Sequence, residues 1–227
     1  MSEGPLDAPA PAETRAALLL ALRQAGVRDL AVMRAIEKIP RALFAPNRIR
    51  DLAGRNMALP IGCGQTMPAP ADLARRLAAL GVAPEHRVLE VGTGSGYGTA
   101  ALAALAREVV SIERFETLAI EAARRLAALN VHNALVLHGD GLAPSRSLAP
   151  FDRIVVHASV AGTPRLLVDM LAPGGVMVFG RLAPAAKGER QKERLARLTR
   201  SAQGAVAEQD IGPCRLGAAV GGAARAL

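Results

Sequence analysis

Aromatic residues are nearly missing from this chain: among 227 residues there is no tryptophan, one tyrosine and four phenylalanines, 2% in all. Stacking platforms for exposed bases are therefore scarce, which argues against a binder of single-stranded nucleic acid. Cysteine is equally sparse. Cys63 and Cys214 have no Cys-x-x-Cys partner and no histidine cluster beside them, so no metal site and no disulfide framework is expected, and a reduced, cytoplasmic chain is. No run of about 18 consecutive apolar residues occurs, so no membrane span is expected. The stretch Met1 to Ala12 is rich in proline and alanine and lacks a basic segment followed by an apolar one; it reads as a disordered tail rather than a signal peptide. Acidic residues are the minority, 20 against 28 lysines and arginines, for a formal net charge of +8. The arginines are scattered along helical segments instead of massed in one tract. That reads as a solvated basic surface rather than a nucleic-acid site, while a positive field favours an acidic substrate.

What is abundant is aliphatic: 51% of residues are hydrophobic, enough for the large core of one α/β domain built from Leu, Val and Ala. Thr14 to Ala25 has leucines at helical spacing, and a second helix runs from Asp29 to about Ile39, stopped by Pro40. Asn47 to Met57 is a polar connection. Ala58 to Pro70 carries too many glycines and prolines for regular structure and too many apolar residues for a solvated linker, so it is expected to lie over something. Ala71 to Leu80 reads as a helix closed by Gly81. Strands and helices then alternate, with strands at Arg87 to Val91, Glu108 to Glu113, Ala134 to Leu137, Asp152 to Ala158 and Gly175 to Gly180, and helices at Thr99 to Ala106, Phe115 to Leu129 and Pro164 to Leu171. That order predicts a mostly parallel, doubly wound sheet covered on both faces, with an N-terminal helical extension. Arg194 to Ser201 and Ala205 to Val220 read as further strands around the Gln203-Gly204 turn. Residues 1–12 are then a tail, 13–80 the helices and covering loop, and 81–227 the core, within one domain overall.

Val88-Leu-Glu-Val-Gly-Thr-Gly-Ser-Gly-Tyr-Gly98 is the segment that narrows the ligand. It is a short apolar strand with Glu90 near its end, followed by glycine at every second position and then a helix whose N-terminus faces the turn. A dinucleotide fingerprint wants Gly-x-Gly-x-x-Gly to seat a pyrophosphate. Here the glycines alternate and an acid precedes them, which suits a ligand carrying positive charge and no diphosphate, such as S-adenosylmethionine. Glu113 ends the next strand about 20 residues on, where a ribose-binding acid belongs. Asp140, between Gly139 and Gly141 after the following strand, is placed to bond an adenine amino group.

Together with Leu59-Pro-Ile-Gly-Cys-Gly-Gln-Thr66, Val110-Ser-Ile-Glu-Arg114, Asn133, His138-Gly-Asp-Gly141, Phe151-Asp152 and Pro173-Gly-Gly-Val176, this turn resembles the protein-L-isoaspartate O-methyltransferase family over roughly residues 14 to 220. The resemblance implies a Rossmann-like methyltransferase that methylates the carboxylate of isoaspartyl residues in damaged peptides and proteins. It implies that Glu90, Gly92 and Gly94, with Thr93 and Ser95 of the same turn, hold the methionine part of S-adenosylmethionine. Glu113 and Arg114 would take the ribose, and Asp140 with Gly141 the adenine. The loop Pro60 to Thr66 would cover the methyl donor, with Gln65 and Thr66 as positioning residues. A carboxylate with a pKa near 4 is already ionised at neutral pH, so the acceptor needs no catalytic base.

Three departures fall on the acceptor side. The family's serine position is Pro68, which offers no hydroxyl. The loop after Val156 reads His157-Ala-Ser-Val-Ala-Gly162, where Ser159 is a candidate replacement hydroxyl and His157 either contacts substrate or ends its strand. The end reads Arg215-Leu-Gly-Ala-Ala219 in place of the family's Arg-Phe-Val-Pro-Leu. A cofactor-binding homologue without catalysis, or a methyltransferase for another acceptor, are the alternatives. Oligomeric state is not legible.

Overall fold

Strand β3 (Arg87–Val91) forms the axis of the sheet, and its last four residues are buried, as in a strand covered on both faces. It pairs in parallel with β4 (Glu108–Glu113) and β6 (Phe151–Val160); β5 (Ala134–His138) lies outside β4, and β7 (Leu171–Leu182) outside β6. Two antiparallel strands, β8 (Glu193–Arg200) and β9 (Val206–Pro213), complete the order β5-β4-β3-β6-β7-β8-β9. The structure is a computed structural model that describes residues 12–183 and 191–226. The tail expected at 1–12 lies outside these residues except for Ala12, which opens a helix.

The two-residue period of the strands sorts their side chains into two cores. Val88, Val109, Val155 and Val178 join a cluster with Leu22, Ile36, Phe44, Leu77 and Tyr97. Their strand neighbours Leu89, Val110, Ile154 and Met177 join a second with Phe151, Leu167 and Phe179. The first cluster is the larger because the N-terminal helices α1 (Ala12–Gln24), α2 (Leu30–Lys38) and α3 (Pro70–Leu80) cover that face along with α4 (Tyr97–Ala103). Helices α5 (Glu116–Ala128) and α6 (Arg165–Asp169) complete the crossovers. Local signals explain the ends: Asp29 accepts from the N–H groups of Ala31 and Val32 at 2.9 and 3.1 Å, and Gly81 closes α3 in the left-handed region at φ 63°.

The structure departs from the sequence reading in several places. The polar connection from Asn47 holds a 3-10 helix, Asn47–Gly54, and the helix expected to reach Leu171 ends at Asp169, with Leu171 opening β7. The loop Ala58 to Pro70 is not wholly irregular: β1 (Leu59–Pro60) and β2 (Thr66–Met67) pair antiparallel, turning Ile61–Gln65 into a hairpin tip. The last strand stops at Pro213 instead of running to Val220. Proline cannot continue the hydrogen-bond ladder, and glycines at 217, 221 and 222 turn the chain back across the sheet edge. There Ser159 N–H donates to Gly217 O at 2.7 Å, Ala219 N–H donates to Ser159 O at 2.8 Å, and Ala224 bridges to Phe115.

Candidate active site

The chain leaves β3 for β4 and β5 on one side and returns for β6 on the other, opening a crevice at the carboxyl ends of β3 and β6 where ligands of such sheets bind. Gly92 to Gly98 sit in it. Gly94, at φ 56°, points its N–H at Glu113 Oε2 at 2.8 Å, a turn geometry that side chains disfavour. Gly98 is glycine for want of space, since a Cβ there would lie 2.7 Å from Glu90 Oε1 and 3.3 Å from His157 Nε2.

Glu90 is fully buried. The β3–β4 register places it opposite Ser111, whose hydroxyl donates to Glu90 Oε2 at 2.6 Å, as does that of Thr99 at 2.5 Å. With Ser111 donating to the carboxylate, Thr93 supplies the proton in its own 2.5 Å contact with Ser111 Oγ. His157 Nε2 meets Glu90 Oε1 at 2.9 Å. Glu113, also buried, accepts from Gly94 N–H and, at 3.0 Å, from Phe115 N–H. Beneath this network Arg76 is buried, and loss of water pulls its guanidinium pKa down to about 10.

Glu90, Gly92, Thr93, Gly94, Ser95 and Glu113 thus line one cavity of about 90 Å³, together with Gln65, Thr66 and Pro68 of the hairpin arm. Ligand pockets are commonly about 300–1,000 Å³, so this chamber suits the reacting end of a ligand. Larger clefts, of about 390 and 640 Å³, lie between α3 and β8 and beside α1, and neither gathers an acid-and-glycine turn. The remaining expected residues stand apart at the ends of β4 and β5. Asp140 accepts from Leu142 N–H at 2.9 Å and from Gly222 N–H at 2.7 Å. Arg114 Nε donates to Gly222 O at 3.2 Å, with its guanidinium 4.8 Å above the Phe115 ring. A Cβ on Gly141 would meet Val91 Cγ1 at 2.5 Å. The chain's own residues 221–224 therefore lie on the edge assigned to adenine.

Sequence reasoning did not anticipate Thr99, Ser111 or the Glu90 bond of His157. The one usable signal was Ser111, a polar residue inside the apolar run Val109 to Ile112, since a buried hydroxyl needs a partner. Ser159 does not serve as a replacement hydroxyl, because it is buried and donates to Glu193 Oε2 at 2.7 Å. Arg41 was missed as well. Its guanidinium reaches four carbonyls, those of Ala53, Arg55, Met57 and Pro68, at 3.0, 3.3, 2.8 and 3.0 Å, and ties the hairpin to the core.

A parallel sheet whose switch-point crevice holds an acid, a glycine turn opening a helix, and a second acid on the neighbouring strand defines a Rossmann-like S-adenosylmethionine-dependent methyltransferase. The family model of protein-L-isoaspartate(D-aspartate) O-methyltransferase matches residues 13–223, and the chain belongs to that family. It is 46% identical over 178 residues to a protein-L-isoaspartate O-methyltransferase of Azorhizobium caulinodans, covering 78% of this chain and 82% of the relative. To the Parvibaculum lavamentivorans enzyme of that name it is 40% identical over 208 residues, 92% of each. Two solved structures share the fold. One, a protein-L-isoaspartate O-methyltransferase, has a TM-score of 0.78 at 24% identity over 91% of this chain and 66% of its own. The other, from Plasmodium falciparum and in complex with S-adenosyl-L-homocysteine, has a TM-score of 0.71 at 22% identity over 90% of this chain and 97% of its own.

Replacing Glu113 by alanine is expected to weaken S-adenosylhomocysteine binding about 10- to 100-fold, measured by titration calorimetry. That is about the worth of one hydrogen bond to a charged group, about 1.5–3 kcal/mol, lost at the carboxylate that also anchors the Gly94 turn. Unchanged affinity would remove Glu113 from the site.

Proposed function

We propose that this protein transfers a methyl group from S-adenosylmethionine to the carboxylate of L-isoaspartyl residues in damaged proteins. The observation that carries the reading is the shared cavity: the hairpin arm Gln65 to Pro68 closes over the same chamber that Glu90, Glu113 and the glycine turn line. An acceptor reaches the donor only past that arm.

The residues fit the cofactor. Glu90 and Glu113, both buried carboxylates, line a small chamber with His157, whose Nδ1 is buried without a hydrogen-bond partner, which places acceptors for an ammonium and for ribose hydroxyls in the site. Glu90, Gly92, Thr93, Gly94 and Ser95 are the residues to hold the methionine end, Glu113 with Arg114 the ribose, and Asp140 with Gly141 the adenine. When bound, S-adenosylmethionine supplies a methyl group on a positively charged sulfur. The chain's part is alignment and exclusion of water, which together account for several kcal/mol of barrier lowering. Gln65 and Thr66 position the acceptor. Pro68 adds only its carbonyl, which Arg41 holds. Among the described residues no helix is long and apolar enough to cross a membrane, and isoaspartyl protein in the cytoplasm is the substrate pool this reading requires.

The test is methyl transfer from labelled cofactor to an isoaspartyl peptide and to its aspartyl twin. Incorporation into the first alone is the expected result. Absence of turnover over background at high enzyme would overturn the proposal.

A further inference from the structure

His157 ends the buried part of β6, one residue beyond the register pair Val91–Val156 and so beside Gly92. It lines the donor chamber, and its side chain is 13% exposed. Its two nitrogens are unequal. Nε2 lies 2.9 Å from Glu90 Oε1, whereas Nδ1 is buried with no hydrogen-bond partner. A carboxylate that already takes the Thr99 and Ser111 hydroxyls fixes the tautomer, so that Nε2 carries the proton and Nδ1 presents a lone pair.

Glu90 lines the methionine end of the chamber, but three donors already occupy its oxygens. The acceptor left without a partner at that point is the imidazole. We propose that His157 is a cofactor-binding residue that relays the charge of Glu90: Nε2–H donates to Glu90, and Nδ1 accepts a hydrogen bond from the α-ammonium of the cofactor's methionine. A carboxylate behind an imidazole raises the basicity of the distal nitrogen and fixes the ring, as it does for metal-bound histidines. The ribose hydroxyls are not the partner, because Glu113 occupies that position on the next strand.

The charges around the ring keep the lone pair free. Glu90 on β3 and Glu113 on β4 favour the imidazolium, Arg76 on α3 opposes it, and burial outweighs them all, holding the His157 pKa below its ordinary value of 6.5. Above that pKa Nδ1 is an acceptor. Below it a proton and a positive charge confront the ammonium, so affinity is expected to be flat through neutral pH and to fall as the medium becomes acidic.

This inference rests on the proposed function, and two ligands separate the failures. S-adenosylhomocysteine carries the ammonium; 5′-methylthioadenosine lacks it. Calorimetric titration of His157→Leu is expected to show about tenfold or greater weakening for S-adenosylhomocysteine and none for methylthioadenosine, the size of one hydrogen bond to a charged group. His157→Gln, which keeps an amide acceptor and cannot titrate, is expected to recover most of that affinity and to lose the acid-side decline. In the wild type, the ¹⁵N-histidine spectrum is expected to show an unprotonated Nδ1 that responds to S-adenosylhomocysteine. Equal weakening of both ligands, or of neither, or an effect confined to the peptide KM, would overturn the relay and leave the proposed function standing. A wild-type protein that binds neither ligand would overturn both.

Discussion

Glu90→Leu is expected to lower the stability of the folded chain by about 3–5 kcal/mol and to abolish methyl transfer, because it breaks a buried charge network from the inside. The carboxylate lies at the centre of the sheet with no exposed surface. Leucine would strand the buried Thr99 and Ser111 hydroxyls and His157 Nε2, each left without its acceptor. The cost does not end there. Arg76 is buried nearby, and Glu90 is one of the groups that help hold its charge against burial. Without Glu90 that buried guanidinium keeps Asp72 as its principal counter-charge. Urea denaturation followed by circular dichroism measures the loss. A change within about 1 kcal/mol, the range of ordinary substitutions, would mean that the carboxylate does not organise this core.

Arg41→Leu is expected to cost about 3–5 kcal/mol of stability and to lower kcat/KM for an isoaspartyl peptide about 100-fold. Arg41 is 6% exposed, and one planar group joins the segment from Ala53 to Met57 with the carbonyl of Pro68. It also lies 5.6 Å from the centre of the Tyr97 ring at the start of α4. Burial lowers its pKa, and Tyr97 works in the opposite direction. Removing the guanidinium leaves four carbonyls short of a donor. It also frees the arm that lines the chamber, and a displacement of about 1 Å at a positioning group can cost about 100-fold in rate. Arg41→Lys, with a single ammonium in place of the fork, is expected to fall between. Thermal denaturation and steady-state kinetics on both variants check the pair; a destabilised leucine variant with full activity in its folded fraction would confine Arg41 to a structural role.

The elements that were readable along the chain are those whose cause is local. Asp29 caps α2 because its own carboxylate reaches N–H groups two and three residues on. Gly81 ends α3 because it alone tolerates the left-handed turn. The alternating valines of β3, β4, β6 and β7 report a sheet with two covered faces. The hairpin Leu59–Met67 was less legible, since its two-residue strands are too short for any alternation to register and a proline sits in the pairing. Strand β9 was read seven residues too long for a similar reason. The apolar residues Leu216 to Val220 do pack and hydrogen-bond, but against Ser159 rather than along β8.

In the site, the Glu90–Ser111 bond spans 21 residues, His157–Glu90 spans 67, Asp140–Gly222 spans 82 and Arg41–Pro68 spans 27. Spacing along the chain carries no trace of these distances, because each depends on which strands pair and in what register. Residue type and order were sufficient for the α/β class, the crevice at the end of β3 and a ligand that prefers acids to phosphate-binding amides, since backbone geometry and charge act over a few neighbouring residues. Folding alone decided that Glu90 is buried, that His157 meets it at the chamber, that Arg41 holds the covering arm, and that Gly222 bonds Asp140. Those contacts come from register and chain reversal, which bring together groups that have no local reason to meet.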